Sequence, residues 1–390
     1  MKEVLLDEVC EFINGGAWSE KEYVSEGIPV LKVSNCKPSG FSLGEVNYLP
    51  FDSADKYAKN KLKKNDVIIA TVGSHPNLMD SAAGRSCIVN SLVEGFFLNQ
   101  NAVCLRSKDT EVLNQTYLGY LSQYYIFQNY IQMLGRGAAN QMRIAIGAIK
   151  SYKFFLPDIV IQNRIADILS TYDKLIENNQ KQLRLLDEAV RRIYKEWFID
   201  FHFPGYEETA NVNGIPKGWR FGFLEEISSF KRGKTITKAK VKEGCIPVVA
   251  GGLEPAYYHN EANTTAPVIT VSGSGANAGF ARLYYNNIWA SDCSFLDITS
   301  TKNIYFVYCY LKANKTSLDN LQKGAAQPHV YAKDINVMKV CIPSEECLSM
   351  FSDMAESIFV KIGNLEEQNK NLQQARDRLL PKLMNGELEV

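Results

Sequence analysis

The sequence predicts an α+β protein: two similar β-rich domains with helices, separated by two long antiparallel coiled-coil helices. Three observations carry this. Short segments recur along the chain in one order at fixed offsets. Each copy runs through short β-rich stretches, then a helical stretch, then a short strand that ends at a proline. Each copy is followed by a long polar stretch whose apolar residues fall in heptads. The boundaries are 1–157 for domain one, 158–199 for the first long helix, 200–218 for a linker, 219–343 for domain two and 344–390 for the second long helix.

The repeat is the strongest signal. Leu6-Asp7-Glu8-Val9 with Phe12 and Gly15 recurs as Leu224-Glu225-Glu226-Ile227 with Phe230 and Gly233, an offset of 218. The same offset carries Ile28-Pro29-Val30-Leu31 onto Ile246-Pro247-Val248-Val249. Val67-Ile68-Ile69-Ala70-Thr71 with Gly73-Ser74 resembles Val268-Ile269-Thr270-Val271 with Gly273-Ser274. Towards the end of each copy the offset becomes 186: Gln141 maps onto Gln327, Ile149 onto Ile335 and Leu156-Pro157 onto Ile342-Pro343. A unit this long is too large for a solenoid repeat. Several matches in one order make two copies of one domain a better reading than chance likeness between strand-rich segments.

Within each copy, strands are expected at 28–33, 67–72 and 102–105 and at their counterparts. A helical stretch follows, its core face carried by Leu113, Tyr117, Leu121, Tyr124, Ile131 and Leu134. In the second copy the face is Ile304, Val307, Tyr308, Leu311, Leu318 and Leu321.

The long helices share one seam. The first carries Leu169, Ile176, Leu183, Val190 and Trp197 in one row and Ile165, Tyr172, Asn179, Leu186 and Ile193 in the other. Moved by 186, these rows become Ala355, Ile362, Asn369, Arg376 and Leu383 and Phe351, Ile358, Leu365, Leu372 and Leu379. Antiparallel alignment about the centres sets Leu183 against Leu365, Leu186 against Ile362 and Ile176 against Leu372. It also sets Asn179 against Asn369, a facing polar pair of the kind that fixes register at a cost in stability. Two unrelated amphipathic surface helices are the plainer alternative. A seam of this length spans roughly 50 Å, which matches about 15 base pairs of duplex. The linker between helix one and domain two, DFHFPGYEETANVNGIPKG, is rich in Pro, Gly and Asn.

Composition sets limits. Hydrophobic residues make up 46% and charged residues 22%, as in a globular protein with real cores. The nine cysteines show no CxxC spacing and are an odd number, so reduced, mostly buried thiols of a cytoplasmic protein are expected. The N-terminus carries acids where a secretion signal would carry bases, and no apolar run reaches membrane-spanning length. Net charge is zero, a weak argument against a nucleic-acid binder. Yet residues 219–343 hold 14 Lys/Arg against 9 Asp/Glu, so basic charge is local, as phosphate contact requires.

At this point the chain resembles the specificity subunits of type I restriction–modification systems over nearly its whole length. The resemblance rests on the twice-used Leu-x-Asp/Glu-Ile/Val…Phe…Gly opening, Gly-Ile-Pro-Lys-Gly-Trp at 214–219 and Gly-Ala-Ala-Gln-Pro-His-Val at 324–330. It rests also on Glu196-Trp197-Phe198 in the first long helix and on Leu379-Leu380-Pro381-Lys382-Leu383-Met384-Asn385-Gly386. No single motif is strong; the ordered set with the duplication is. The resemblance implies that each domain is a target-recognition domain reading one part of a split DNA sequence. The helices would set the spacing and dock two methyltransferase subunits. The chain itself would hold no cofactor and catalyse nothing. Its partners would methylate adenine with S-adenosylmethionine, and restriction/translocase subunits would add a nuclease driven by ATP and Mg. A free-standing DNA-binding regulator or scaffold with the same body is the alternative.

The residues agree with a chain without chemistry of its own. An adenine methyltransferase needs an Asn/Asp-Pro-Pro-aromatic turn, and no Pro-Pro occurs. Gly233-Lys234-Thr235 looks like the end of a P-loop, but Ser228 stands where the upstream Gly is required. Gly273-Ser-Gly275-Ala-Asn-Ala-Gly279 has the wrong spacing for a dinucleotide loop and leads into a strand pattern, not a helix. His75, His202, His259 and His329 are isolated, with no metal-ligand spacing.

Phosphate contacts are expected from Lys231, Arg232, Lys234, Lys238, Lys240 and Lys242, the densest basic run, and from Lys59, Lys61, Lys63 and Lys64. An ordinary solvated basic face would look the same. Base reading is expected from the Gly-rich loops, with Ser74, His75 and Asn77 in domain one and Ser272, Ser274 and Asn277 in domain two. Plain hairpin loops are the alternative there. Gln141 and Gln327 recur at equivalent places, which suits backbone contact or structure better than the reading of different sequences.

Overall fold

A computed structural model describes residues 2–37, 40–44, 46–74, 83–137, 142–324 and 328–390. The chain divides into two compact units, Met1–Ile176 with Asn371–Val390, and Glu177–Lys370. Each unit therefore takes one repeat and part of both long helices.

In the first unit a four-stranded antiparallel sheet runs in the order Cys10–Asn14, Ala102–Ser107, Val67–Ala70, Ser86–Ile88. Its two central strands are buried on both faces. Val67, Ile69, Val103 and Leu105 join the main core with the helices, and Ile68, Ala102 and Cys104 join a second cluster with Leu31 and Leu98. Burial on both faces is why Val-Ile-Ile-Ala reads as an unbroken apolar run and not as an alternation. A smaller sheet sets Ile28–Leu31 antiparallel to Asn47–Leu49 and parallel to Phe97–Leu98. Lys2–Leu5 pairs with Lys153–Leu156, so the repeat is closed by its own two ends.

The second unit repeats this order. Lys231–Arg232, Cys293–Asp297, Val268–Ser272 and Ala281–Tyr284 form the four-stranded sheet. Ile246–Val249 is antiparallel to Tyr257–His259 and parallel to Trp289–Ala290. Arg220–Phe223 closes against Lys339–Ile342. Lys2 faces Leu156 in one ribbon and Arg220 faces Ile342 in the other, so the offsets of 218 and 186 seen in the sequence preserve the register. Leu6 and Leu224 are both fully buried, and their amides bond to the carbonyls of Tyr152 and Met338. That explains the repeated opening motif.

Gly15 and Gly233 explain the rest of it. Each amide bonds to a sheet carbonyl, of Ala102 at 3.0 Å and of Cys293 at 2.8 Å. A Cβ on Gly15 would lie 1.9 Å from the Asn99 carbonyl oxygen, and one on Gly233 2.2 Å from that of Ser291. Only glycine fits so close an approach of two backbones.

Two sequence expectations are corrected. The central strands match one residue out of step with the alignment of Val67 with Val268. Val67 pairs with Leu105 and Ile269 with Leu296, both facing the helix-bearing core, whereas Val268 faces the opposite cluster. A slip of one residue reverses every side chain of a strand, so Val67 corresponds to Ile269 and Gly73 to Gly275. The single helical stretch in each repeat is also two helices. Gln115–Gln123 and Tyr125–Met133 break at Tyr124, which is extended, and Ile304–Ala313 and Lys315–Asp319 break at Asn314. Tyr117, Leu121, Tyr124 and Ile131 are buried as expected.

The long helices span Ile159–Phe198 and Glu345–Met384, again 186 apart. Pro381 lies in the last turn of the second. Their pairing is antiparallel within each unit. In the first, Arg376 Nη1 donates to Asp173 at 2.6 Å, and Leu380 and Leu383 share a core with Ile165 and Leu169. In the second, Phe198 packs on Phe351 and Trp197 flanks it. Leu183, Leu186 and Ile358 pack partly buried against a core that contains Ile362. Ile176, Leu365, Asn179 and Asn369 are buried, and Leu372 is half-buried. Asn179 and Asn369, expected to face each other, do not bond to each other: Asn179 Nδ2 donates to Gln368 at 3.0 Å, and Asn369 Oδ1 is buried without a partner.

The linker is ordered by its own motif. Asn211–Val212 and Ile215–Pro216 form a small hairpin, and Trp219 packs against Phe198, Phe201 and Phe203. All nine cysteines are free thiols, seven of them buried. Among the described residues no helix is long and apolar enough to cross a membrane.

Candidate nucleic-acid interface

The basic run of the second unit lies along the edge of its sheet. Lys231 and Arg232 pair with Phe295 and Ser294 on one side only. Past Gly233, the Lys234 amide bonds to the Ala290 carbonyl at 2.9 Å and the Ile236 amide to Ser291 Oγ at 3.3 Å. Lys238–Lys240 makes one 3-10 turn, and the Lys242 amide bonds to His259 Nδ1 at 3.0 Å. Backbone bonds thus fix the path while all six side chains are exposed. Lys231 Nζ donates to Ser300 Oγ, and among the described residues none of the six forms an ion pair. Such cations are available to phosphates at little desolvation cost.

One end of this sheet gathers polar groups. Asp292 precedes the strand Cys293–Asp297 and Ser274 follows the strand Val268–Ser272. Ser274 Oγ donates to Asp292 Oδ2 at 2.6 Å, and Ser274 bridges in turn to His329 on the return segment. Gly251 and Gly273 press against this row: a Cβ on Gly251 would meet the Ser274 carbonyl at 2.8 Å. Lys234 is held near the same end by its amide bond to the Ala290 carbonyl, and Ile236 by its bond to Ser291. Asn277 closes a 3-10 turn beside it. Ser272, expected to read bases, does not reach the surface: it is 3% exposed and its hydroxyl donates to the Gly251 carbonyl. Burial pushes the neighbouring Cys293 thiol up to about 12, which leaves it an unreactive neutral group.

The first unit is arranged differently. Lys59, Lys61, Lys63 and Lys64 are exposed on the turns that lead into the strand Val67–Ala70. A buried ion pair shapes those turns. Arg106 Nε and Nη2 donate to the two Asp66 oxygens at 2.8 and 2.7 Å, Nη2 also reaches the Lys61 carbonyl, and the Lys63 amide bonds to Asp66. Bonding to Asp66 raises the Arg106 pKa further. Ser74 lies beyond the other end of the same strand, so the structure does not bring it together with these lysines. His75, Asn77, Gln141 and Gln327 lie outside the described residues.

Sequence reasoning missed the Asp66–Arg106 pair, Asp292 and Gln162. Gln162 is fully buried and bonds to the carbonyls of Val112 and Pro157 and the amide of Asn114, fastening the first long helix to its repeat. Nothing in local pattern marks these residues, because a defining partner of each is distant in sequence: 40 residues for Asp66 and Arg106, 50 for Gln162 and Val112, 18 for Asp292 and Ser274. Among the described residues no group of three or more His, Cys, Asp or Glu is placed to hold a metal ion.

The fold and this surface define a class: a duplicated β-rich module that presents unpaired cations and loop side chains, tied to a pair of long antiparallel helices. Comparison with known proteins gives the family. The model of the type I restriction modification DNA specificity domain matches residues 1–187 and 216–347. This chain belongs to that family. It is 27% identical to the type I restriction enzyme MjaIX specificity subunit of Methanocaldococcus jannaschii, over 70% of this chain and 69% of that one. It is 21% identical to the HindI specificity subunit of Haemophilus influenzae, over 85% and 88%. The crystal structure of the type I restriction–modification S subunit from M. genitalium superposes with a TM-score of 0.64 at 19% identity, covering 98% of this chain and 96% of that one, and so shares its fold.

Proposed function

We propose that this chain is the DNA-reading subunit of a type I restriction–modification enzyme and that it binds a bipartite, asymmetric target, one part to each repeat. The observation that carries the reading is the preserved strand order and register of the two repeats combined with different side chains on the loops that the shared framework presents. A common scaffold with divergent loops is what two readers of different sequences require.

In this reading the exposed lysines of both units bind phosphates and set orientation, and loop side chains at the sheet ends specify sequence. Two methyltransferase subunits dock on the long helices and nearby domain surface, and restriction/translocase subunits complete the assembly in the cytoplasm. The chain contributes no catalytic group. Methyl transfer to adenine uses S-adenosylmethionine bound by the partners, and cleavage uses ATP and Mg held by the nuclease assembly.

Co-expression with a type I methyltransferase subunit from the same genome tests this. The expected result is a complex with two methyltransferase copies that methylates one split sequence in cells, read by methylome sequencing with and without this gene. A chain that binds DNA but recruits no methyltransferase, or methylation that does not depend on it, overturns the proposal.

A further inference from the structure

The duplication allows an internal comparison of the two sheet ends. Four backbone bonds recur there. The Gly15 amide bonds to the carbonyl of Ala102, as that of Gly233 does to Cys293. Gly16 bonds to Leu98 as Lys234 bonds to Ala290. Thr71 bonds to Asn101 as Gly273 bonds to Asp292, and Ile144 to Thr71 as Val330 to Gly273. These bonds superimpose three positions of one unit on three of the other. Asn101 corresponds to Asp292, Val72 to Ser274 and Arg143 to His329. Arg143 pairs with Val72 across the ribbon, and His329 bridges to Ser274.

The frame of backbone bonds is shared, although Asn101 has a positive φ that Asp292 lacks and its connection is one residue longer, and the side chains differ. The row is Asn101–Val72–Arg143 in one repeat and Asp292–Ser274–His329 in the other. Asn101 and Arg143 are exposed, and Asp292 and His329 are half-exposed. Asn101 holds a φ of +74°, a conformation that Asn tolerates better than most residues. Asn and Arg are the side chains that read adenine and guanine in the major groove, and a carboxylate accepts from an exocyclic amine.

Asp292 is the most telling member. It is a carboxylate at the end of a sheet whose edge carries Lys231, Arg232 and Lys234, and among the described residues no cation pairs with it. Ser274 satisfies one oxygen from below, which orients the group and leaves acceptor capacity on the other. A negative group on a phosphate-binding surface repels the backbone. It belongs there where a base donates to it.

We propose that these register-equivalent rows are where each repeat reads base edges, and that Asp292 accepts a hydrogen bond from an exocyclic amine, cytosine N4 or adenine N6. This rests on the DNA-reading function proposed above. The test is position-resolved specificity of the full complex, by methylome sequencing or selection from a randomised duplex library, with Asp292→Ala and Asp292→Asn beside the natural chain. Asp292→Ala should relax one base pair, in one half of the target only, by roughly ten- to a hundred-fold in discrimination. Asp292→Asn keeps the shape and the Ser274 bond, so it should change the preferred base at that pair and leave the other half-site unaltered. The identity of the base there separates cytosine from adenine. Two outcomes overturn the inference: both variants reading the natural sequence, or Asp292→Ala weakening all sequences alike while Asp292→Asn reads as the natural chain does. A natural complex with no sequence preference would defeat the underlying function as well, and that result is distinct from the other two.

Discussion

Asn179 donates its side-chain amide to Gln368 at 3.0 Å, one residue short of the asparagine that the heptads set opposite it. Gln368 is exposed and reaches into the seam from its rim, while Asn369 sits in the seam with an unpartnered carbonyl oxygen. An unsatisfied buried acceptor costs about 1–3 kcal/mol. Asn369→Leu should therefore stabilise the second unit by about 1 kcal/mol or more, seen as a higher thermal midpoint. A lower midpoint would mean that the polar seam residue contributes to stability and does more than specify register.

Gly15 and Gly233 should each reject any side chain. The first obstacle is a backbone carbonyl in both cases, not the end of a flexible side chain, so relief requires the two strands to separate. Gly15→Ala or Gly233→Ala should cost about 3 kcal/mol and unfold the repeat that carries it before the other. Amide hydrogen exchange resolved by segment reads this directly. Equal loss of protection in both repeats would contradict it.

Asp66 and Arg106 form a bidentate pair in which Asp66 is 2% exposed. Asp66→Asn leaves the guanidinium in a half-buried site without its counter-charge and weakens the Lys63 turn. Breaking one side of a buried pair costs about 3–5 kcal/mol. Chemical denaturation should show that loss. Asp66→Asn together with Arg106→Met should recover part of it, since an apolar replacement no longer leaves a buried charge uncompensated.

The sequence shows some parts of this architecture more plainly than others. Heptads and the offset of 186 place the long helices because both patterns are local and repeat many times. The closing ribbons are legible for the same reason: Leu156-Pro157 and Ile342-Pro343 are short and similar. The match of Val67 to Val268 fails because a strand buried on both faces has no alternation to fix its phase, so only the pairing to Leu105 and Leu296 decides it. The breaks at Tyr124 and Asn314 carry no Gly or Pro to announce them. Ser272 reads as a loop residue beside glycines, yet its strand continues one residue further than the composition suggests. At the candidate interface, exposed lysines are visible as a run, while Asp292 is not. Its meaning comes from Ser274, 18 residues earlier, and from the cations that fold beside it.

The basic run of the second unit offers the most direct test of where phosphates bind. Lys234, Lys238, Lys240 and Lys242 are exposed and unpaired, on a path fixed by backbone bonds to Ala290, Ser291 and His259. Replacing all four with Gln should leave the fold intact, because none contributes a side-chain bond to the core. Every phosphate that a lysine no longer neutralises lowers the slope of log K against log salt by about 0.9. The quadruple variant, assembled with its partners, should therefore lose up to about 3.6 units of slope and bind more weakly at low salt. Target and unrelated DNA should be affected alike, because phosphates carry no sequence. The same replacements at Lys59, Lys61, Lys63 and Lys64 measure the share of the first unit. An unchanged slope from either set would make that run an ordinary solvated face.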